Sequence, residues 1–130
     1  MLTYDLSETK GFTVVHNSRE WRIATHTYEA EVNGIESFRT WGIHETSEEA
    51  FLLLEGRGWL VTSEEGRDAG DYGIRELVCG QMRVIEQAER HAIILKPGSR
   101  VLIAENLDMS QSRTEPIAEE VVRKVREELM

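Results

Sequence analysis

From Trp21 onward the chain reads as short apolar stretches broken by turn signals, a pattern that predicts a β-sandwich or barrel. Residues 21–28 are rich in β-formers, and 38–44 reads as extended. The run 51–54 is too short, and too abruptly closed by Glu55-Gly56-Arg57-Gly58, to be a helix; 59–62 continues beyond that turn. Further strands are expected at 75–79, 83–85, 91–95 and 100–105. Asn33-Gly34 has the composition of a tight turn, because both residues tolerate positive φ. Lys96-Pro97-Gly98-Ser99 reads as a turn between the last two strands, with proline second and glycine third. The glycine- and acid-rich segment 63–73 reads as an exposed loop.

Only the C-terminus has helical periodicity. Ile117, Val121, Val125 and Leu129 recur every four residues, Thr114 can cap and Pro116 suits a first turn. Glu119 and Glu120 precede Arg123, Lys124 and Arg126, the order the helix dipole favours. A helix over about 115–130 follows, packed on the barrel or on a second chain.

Alternation along 38–44 puts Phe38, Thr40, Gly42 and His44 on one face and Arg39, Trp41 and Ile43 on the other. In the next strand Glu49, Phe51 and Leu53 share a face. With His44 and Glu49 turned inward, a few polar groups would stand among Phe and Leu, the composition of a small-ligand pocket. His91 opens another strand-like segment. Two imidazoles and one carboxylate are the donor set of a facial triad, which leaves coordination positions open.

Composition narrows the partners. The 130 residues carry 24 acidic and 15 basic side chains, a net charge of −9, so neither a nucleic-acid backbone nor an anionic membrane is expected. The N-terminus has no basic, apolar leader and no stretch is long enough to span a membrane, so a cytoplasmic protein is expected. Cys79 has no partner for an internal disulfide, and its setting in Leu77-Val78-Cys79 reads as packing. His16 and His26 read as structural, and Trp21, Trp41 and Trp59 as packing. Arg39, Arg57, Arg75 and Arg83 lie in or beside strands, where any could turn inward to hold a carboxylate.

The spacing of these residues resembles the two motifs of the cupin superfamily, G-x5-H-x-H-x3-4-E-x6-G and G-x5-P-x-G-x2-H-x3-N. His44, Glu49 and Gly56 fall on the second histidine, the glutamate and the closing glycine of the first; Gly80 and His91 fall on the opening glycine and the histidine of the second. The stretches 44–56 and Val101-Leu102-Ile103-Ala104-Glu105-Asn106 are similar to small single-domain bacterial cupins. The departures are Gly42 for the first metal histidine, and Glu86, Ala88 and Leu95 for the proline, glycine and asparagine of the second motif.

The resemblance implies an all-β fold, a double-stranded β-helix (jelly-roll) barrel with a C-terminal α-helix, forming one domain over 1–130 with its core at about 21–106. It implies a small-molecule pocket inside the barrel, with His44, Glu49 and His91 as metal ligands and Glu49 alternatively a catalytic base. The cofactor would be a divalent transition metal (Fe, Mn, Ni or Zn), or none. The partners would be a small-molecule ligand and a second copy in a homodimer. Two functions follow: a metal-dependent oxygenase, isomerase or lyase, or a metal-free cupin that binds or senses a metabolite without catalysis.

Overall fold

A computed structural model describes residues 1–64 and 71–130. Among the described residues ten strands lie in chain order: β1 (Phe12–Asn17), β2 (Trp21–Thr27), β3 (Thr40–His44), β4 (Glu49–Glu55), β5 (Gly58–Ser63), β6 (Gly73–Glu76), β7 (Met82–Ile85), β8 (Arg90–Leu95), β9 (Arg100–Asn106) and β10 (Ser112–Pro116). A one-turn helix α1 (Ala30–Asn33) follows β2, and α2 (Glu119–Leu129) ends the chain. The strands form two antiparallel five-stranded sheets, ordered β1-β2-β9-β4-β7 and β10-β3-β8-β5-β6. This is the expected all-β double-stranded barrel with one C-terminal helix.

Alternation places the core. In β4 the residues Glu49, Phe51 and Leu53 point inward, and in β9 Val101, Ile103 and Glu105 do. From the opposite sheet Leu60 and Leu95 meet them, with Ala24, Leu77 and Ile85 completing the layer between the sheets. A second apolar cluster lies on the far side of the β10-β3-β8-β5-β6 sheet. There Trp41, Trp59, Val61 and Ile94 are covered by Ile117, Val121 and Val125 of α2 and the segment before it. Val121 and Val125 are fully buried, so the four-residue repeat marks the helix face that packs on the barrel.

Two turns carry most of the local geometry. Gly56 sits at φ +85°, and a Cβ there would lie 2.5 Å from the Ser99 Cα, so glycine is required twice over. The Ser99 hydroxyl, accepting from the Arg57 N–H and donating to the Arg57 carbonyl, both at 2.8 Å, stitches this turn to the 96–99 turn. In the latter Ser99 N–H donates to the Lys96 carbonyl at 3.2 Å and Gly98 takes φ +80°, as expected of Pro-Gly.

Several expectations are corrected. The helix starts at Glu119 instead of near 115 because Ser112–Pro116 pairs with β3 as a strand; Thr114 therefore caps nothing. Phe12–Asn17 and Ser112–Pro116 join the sheets from either side of the 21–106 span. Asn33-Gly34 is not a hairpin turn: Gly34 has φ −72°, and Asn33 is buried, its side chain bonded to Glu29 N–H and the Thr27 carbonyl. β6 ends at Glu76, leaving Cys79 exposed in a turn instead of packed. Of the loop expected over 63–73, Ser63 and Gly73 belong to β5 and β6, and 65–70 lie outside the described residues.

Candidate metal centre and cavity

His44 ends β3 in one sheet and Glu49 begins β4 in the other; the four residues between them turn the corner. His91 lies on β8, the hydrogen-bonded neighbour of β3, with Gly42 opposite it in register. Three side chains from two sheets thus meet inside the barrel. Glu49 Oε1 lies 3.2 Å from His44 Nε2 and 3.1 Å from His91 Nε2. The three donor atoms all lie within 4.8 Å of one another, a group that could hold a metal ion. Ligand bonds of about 2.1 Å at angles of about 90–110° separate neighbouring donors by roughly 3.0–3.4 Å, which the two contacts of Glu49 match.

The outer nitrogens are held as well. His91 Nδ1 faces the Glu89 carbonyl at 3.0 Å, an acceptor only, so Nδ1 carries its hydrogen and Nε2 is the atom turned to Glu49. His44 Nδ1 meets the Ser112 hydroxyl at 2.8 Å, which β10 delivers by pairing Ser112 with His44. Both rings are therefore oriented with Nε2 inward.

Electrostatics centre on Glu49. Burial alone would raise its pKa, but hydrogen bonds from His44, His91 and Glu105 outweigh this and hold the carboxylate well below its ordinary range. For His91, burial opposes charge, yet the Glu49 carboxylate and the Glu89 carbonyl raise it above its usual value. Behind Glu49 stands Glu105, its cross-strand partner on β9. Burial and the neighbouring Glu49 push Glu105 upward, while Arg22, at 2.9–3.0 Å, pulls the other way. Two carboxyls packed side by side resist a double charge, so the ionised Glu49 makes Glu105 the harder of the two to deprotonate.

Sequence reasoning missed Glu105 and Arg22. The signal was there in the alternation Val101, Ile103, Glu105, which aims a glutamate into the barrel beside two core residues.

A cavity of about 300 Å³ opens beside the triad, walled by Phe12, Phe38, Phe51, Ile93 and Ile103, with Ser37, Thr40, Thr114, Asn33 and His26 as its other polar groups. His26, structural by its sequence setting, does bond Asn33 at 3.2 Å, but it also forms part of this wall, and burial lowers its pKa. None of Arg39, Arg57, Arg75 and Arg83 lines the cavity. Arg57 instead pairs with Glu76 at 2.7 Å over Trp59, and Arg83 reaches the Glu76 carbonyl. Gly42 leaves room next to the site: a Cβ there would stop 3.5 Å from His91 Nε2.

The fold and this inward cluster define a double-stranded β-helix protein with a candidate two-histidine, one-carboxylate centre. Among solved structures the chain is similar to an RmlC-like cupin protein from Desulfovibrio desulfuricans, with TM-score 0.57 and 19% identity over 82% of this chain and 96% of that one. It is likewise similar to a cupin-2 domain containing protein from Shewanella frigidimarina, with TM-score 0.54 and 17% identity over 79% and 84%. KdgF from Halomonas sp. gives TM-score 0.54 and 16% identity over 82% and 88%. The fold of this chain is that of the cupins. No family model and no curated protein matches the sequence.

Proposed function

We propose that the chain binds a divalent transition metal through His44 Nε2, Glu49 and His91 Nε2 and uses it on a small molecule held in the adjoining cavity. The observation that carries this is the convergence of three donors from β3, β4 and β8 with their outer atoms tied back. When bound, the cation would supply Lewis acidity or an oxygen-binding site, which suits oxygenase, isomerase or lyase chemistry. The chain's own residues have distinct tasks. Ser112 and the Glu89 carbonyl fix the two imidazoles, Glu105 with Arg22 fixes Glu49, and Phe12, Phe38 and Phe51 exclude water around the ligand. Among the described residues no lysine or arginine lines the cavity, so the ligand is neutral or presents its anionic group to the cation.

A metal-free binding protein is the second reading, favoured by Gly42, which withholds a fourth protein ligand, and by the contacts with both imidazoles that already satisfy Glu49. Elemental analysis of untreated protein, with melting curves over Fe, Mn, Ni and Zn with and without chelator, separates the two. The metal reading expects close to one equivalent per chain, a melting temperature raised by metal, and loss of both in His91→Ala. Metal-free protein whose melting no ion shifts would overturn it and leave the second reading.

A further inference from the structure

Alternation along β2 turns Arg22, Ala24 and His26 toward the barrel interior, and pairing with β9 sets each in a row across the sheet. Arg22 shares its row with Glu105 and Glu49, Ala24 with Ile103 and Phe51, and His26 with Val101 and Leu53. The candidate centre and His26 thus line one cavity two rows apart, with Phe51 and Ile103 on the wall between them. Such a layout suits a ligand with two polar ends and an apolar middle.

The hydrogen bonds around His26 leave its ring one tautomer. Asn33 is buried, and its Oδ1 accepts from the Glu29 N–H at 2.9 Å, which fixes the orientation of the amide. Its Nδ2 donates one hydrogen to the Thr27 carbonyl at 2.9 Å and the other to His26 Nε2 at 3.2 Å. A ring nitrogen that accepts carries no hydrogen, so His26 is neutral with its proton on Nδ1. Burial favours the same form, lowering the pKa against the pull of Glu29, an oxygen of which lies 3.7 Å from Nε2. Phe12 packs against the ring at 88°, with 5.5 Å between centroids. Among the described residues nothing bonds Nδ1, yet it is not one of the sealed polar atoms that lack a partner. A donor left open on a cavity wall calls for an acceptor.

We propose that His26 is a specificity-determining residue, its Nδ1–H binding a neutral carbonyl, ether or hydroxyl oxygen at one end of a ligand whose other end lies at the candidate centre. This role rests on the cavity being the ligand site, as proposed above, and defines the class of ligand it takes. An anionic group is excluded at the His26 end. The imidazole there is uncharged, Glu29 stands beside it, and no lysine or arginine of the described residues lines the cavity. A carboxylate would lose its water without compensation. An alkyl group is disfavoured as well, because it would cover the Nδ1–H and leave it unpaired.

Two measurements on chelator-treated protein test this without calling on metal binding. Long-range nitrogen–proton NMR of the wild type near neutral pH is expected to show His26 uncharged with its hydrogen on Nδ1. A hydrogen on Nε2, or an imidazolium, overturns the proposal. NMR titration with millimolar acetophenone and benzoate, which share a ring and differ in charge, tests the ligand class. Acetophenone should shift the His26 ring signals and bind at least about tenfold more tightly than benzoate. His26→Phe, which fills the space but cannot donate, should weaken acetophenone about five- to tenfold, and His26→Gln, which can donate, should recover most of that. Benzoate binding as tightly as acetophenone, unmoved His26 signals, or equal acetophenone affinity in His26→Phe overturns the proposal. Should the variants fail to fold, the wild-type measurements decide alone. Any of these contrary results in a chain that does take up metal would sink the role of His26 and leave the metal centre standing. The expected results in a chain that takes up none would do the reverse.

Discussion

Gly42 is the residue on which the candidate centre turns. Its missing side chain leaves space beside His91 Nε2, and the 3.5 Å clearance a Cβ would have means a larger residue can begin there without displacing backbone. Gly42→His is expected to tighten metal binding by at least about tenfold, read by competition with a chromophoric chelator, because it adds a fourth donor. Glu105 makes the complementary case. Glu105→Ala leaves the Arg22 guanidinium without its partner and Glu49 without its support, and metal affinity should drop by about 10–100-fold. Glu105→Gln, which can still hydrogen-bond Glu49, should recover most of that loss in the same titration. His44, Glu49 and His91 were legible because each stands in register with a motif position on a strand whose alternation could be read. The sequence reads His26 as structural, Asn33 as turn and Glu105 only as part of a motif stretch; their places around the site depend on which strand lies beside which, and β9 pairs with β4 and β2 across large sequence separations.

At the level of elements, the edge strand β10 is tied down electrostatically. Arg90 on β8 reaches across β3 to Glu115, with Nε at 2.7 Å from one oxygen and a second nitrogen 3.2 Å from the other, and Arg113 also bonds this carboxylate. Glu45 pairs with Arg113 at 2.5 Å. The bonds from Arg90 and then Arg113 lower Glu115 to about 2. A depressed folded-state pKa stabilises the protein above the unfolded value and loses that contribution as pH falls toward the folded one. The urea midpoint of wild type should therefore exceed that of Glu115→Gln by a constant margin above pH 4.5, and the margin should shrink as pH approaches about 2. The Gly56 turn offers a steric test: Gly56→Ala forces a Cβ into Ser99 and should cost about 2–4 kcal/mol in the same measurement. Strands with clear apolar runs could be read from the sequence to within a residue or two, except β6, expected over 75–79 and found at Gly73–Glu76. β1 and β10 could not, because FTVVHN mixes polar residues and SRTEP has no apolar residue but proline; sheet pairing alone makes them strands.

For the whole molecule, α2 is a structural cover as much as an appendage. Val125→Ala is expected to cost about 2 kcal/mol by opening a void over Trp41 and Ile94. A chain ending at Ala118 would bare that sheet face and should aggregate on expression, seen as loss from the soluble fraction. The helix was visible in the sequence from its periodicity, but its docking site was not, since nothing in the repeat says which sheet it covers.

His44 and His91 hang from one sheet and Glu49 from the other. A cation shared by the three would act as a rivet through the sandwich, joining halves that otherwise cohere by packing, by the corners between them and by hydrogen bonds such as those of Glu49. Prising the layers apart would then mean breaking coordination bonds, so loading should slow unfolding far more than it speeds refolding.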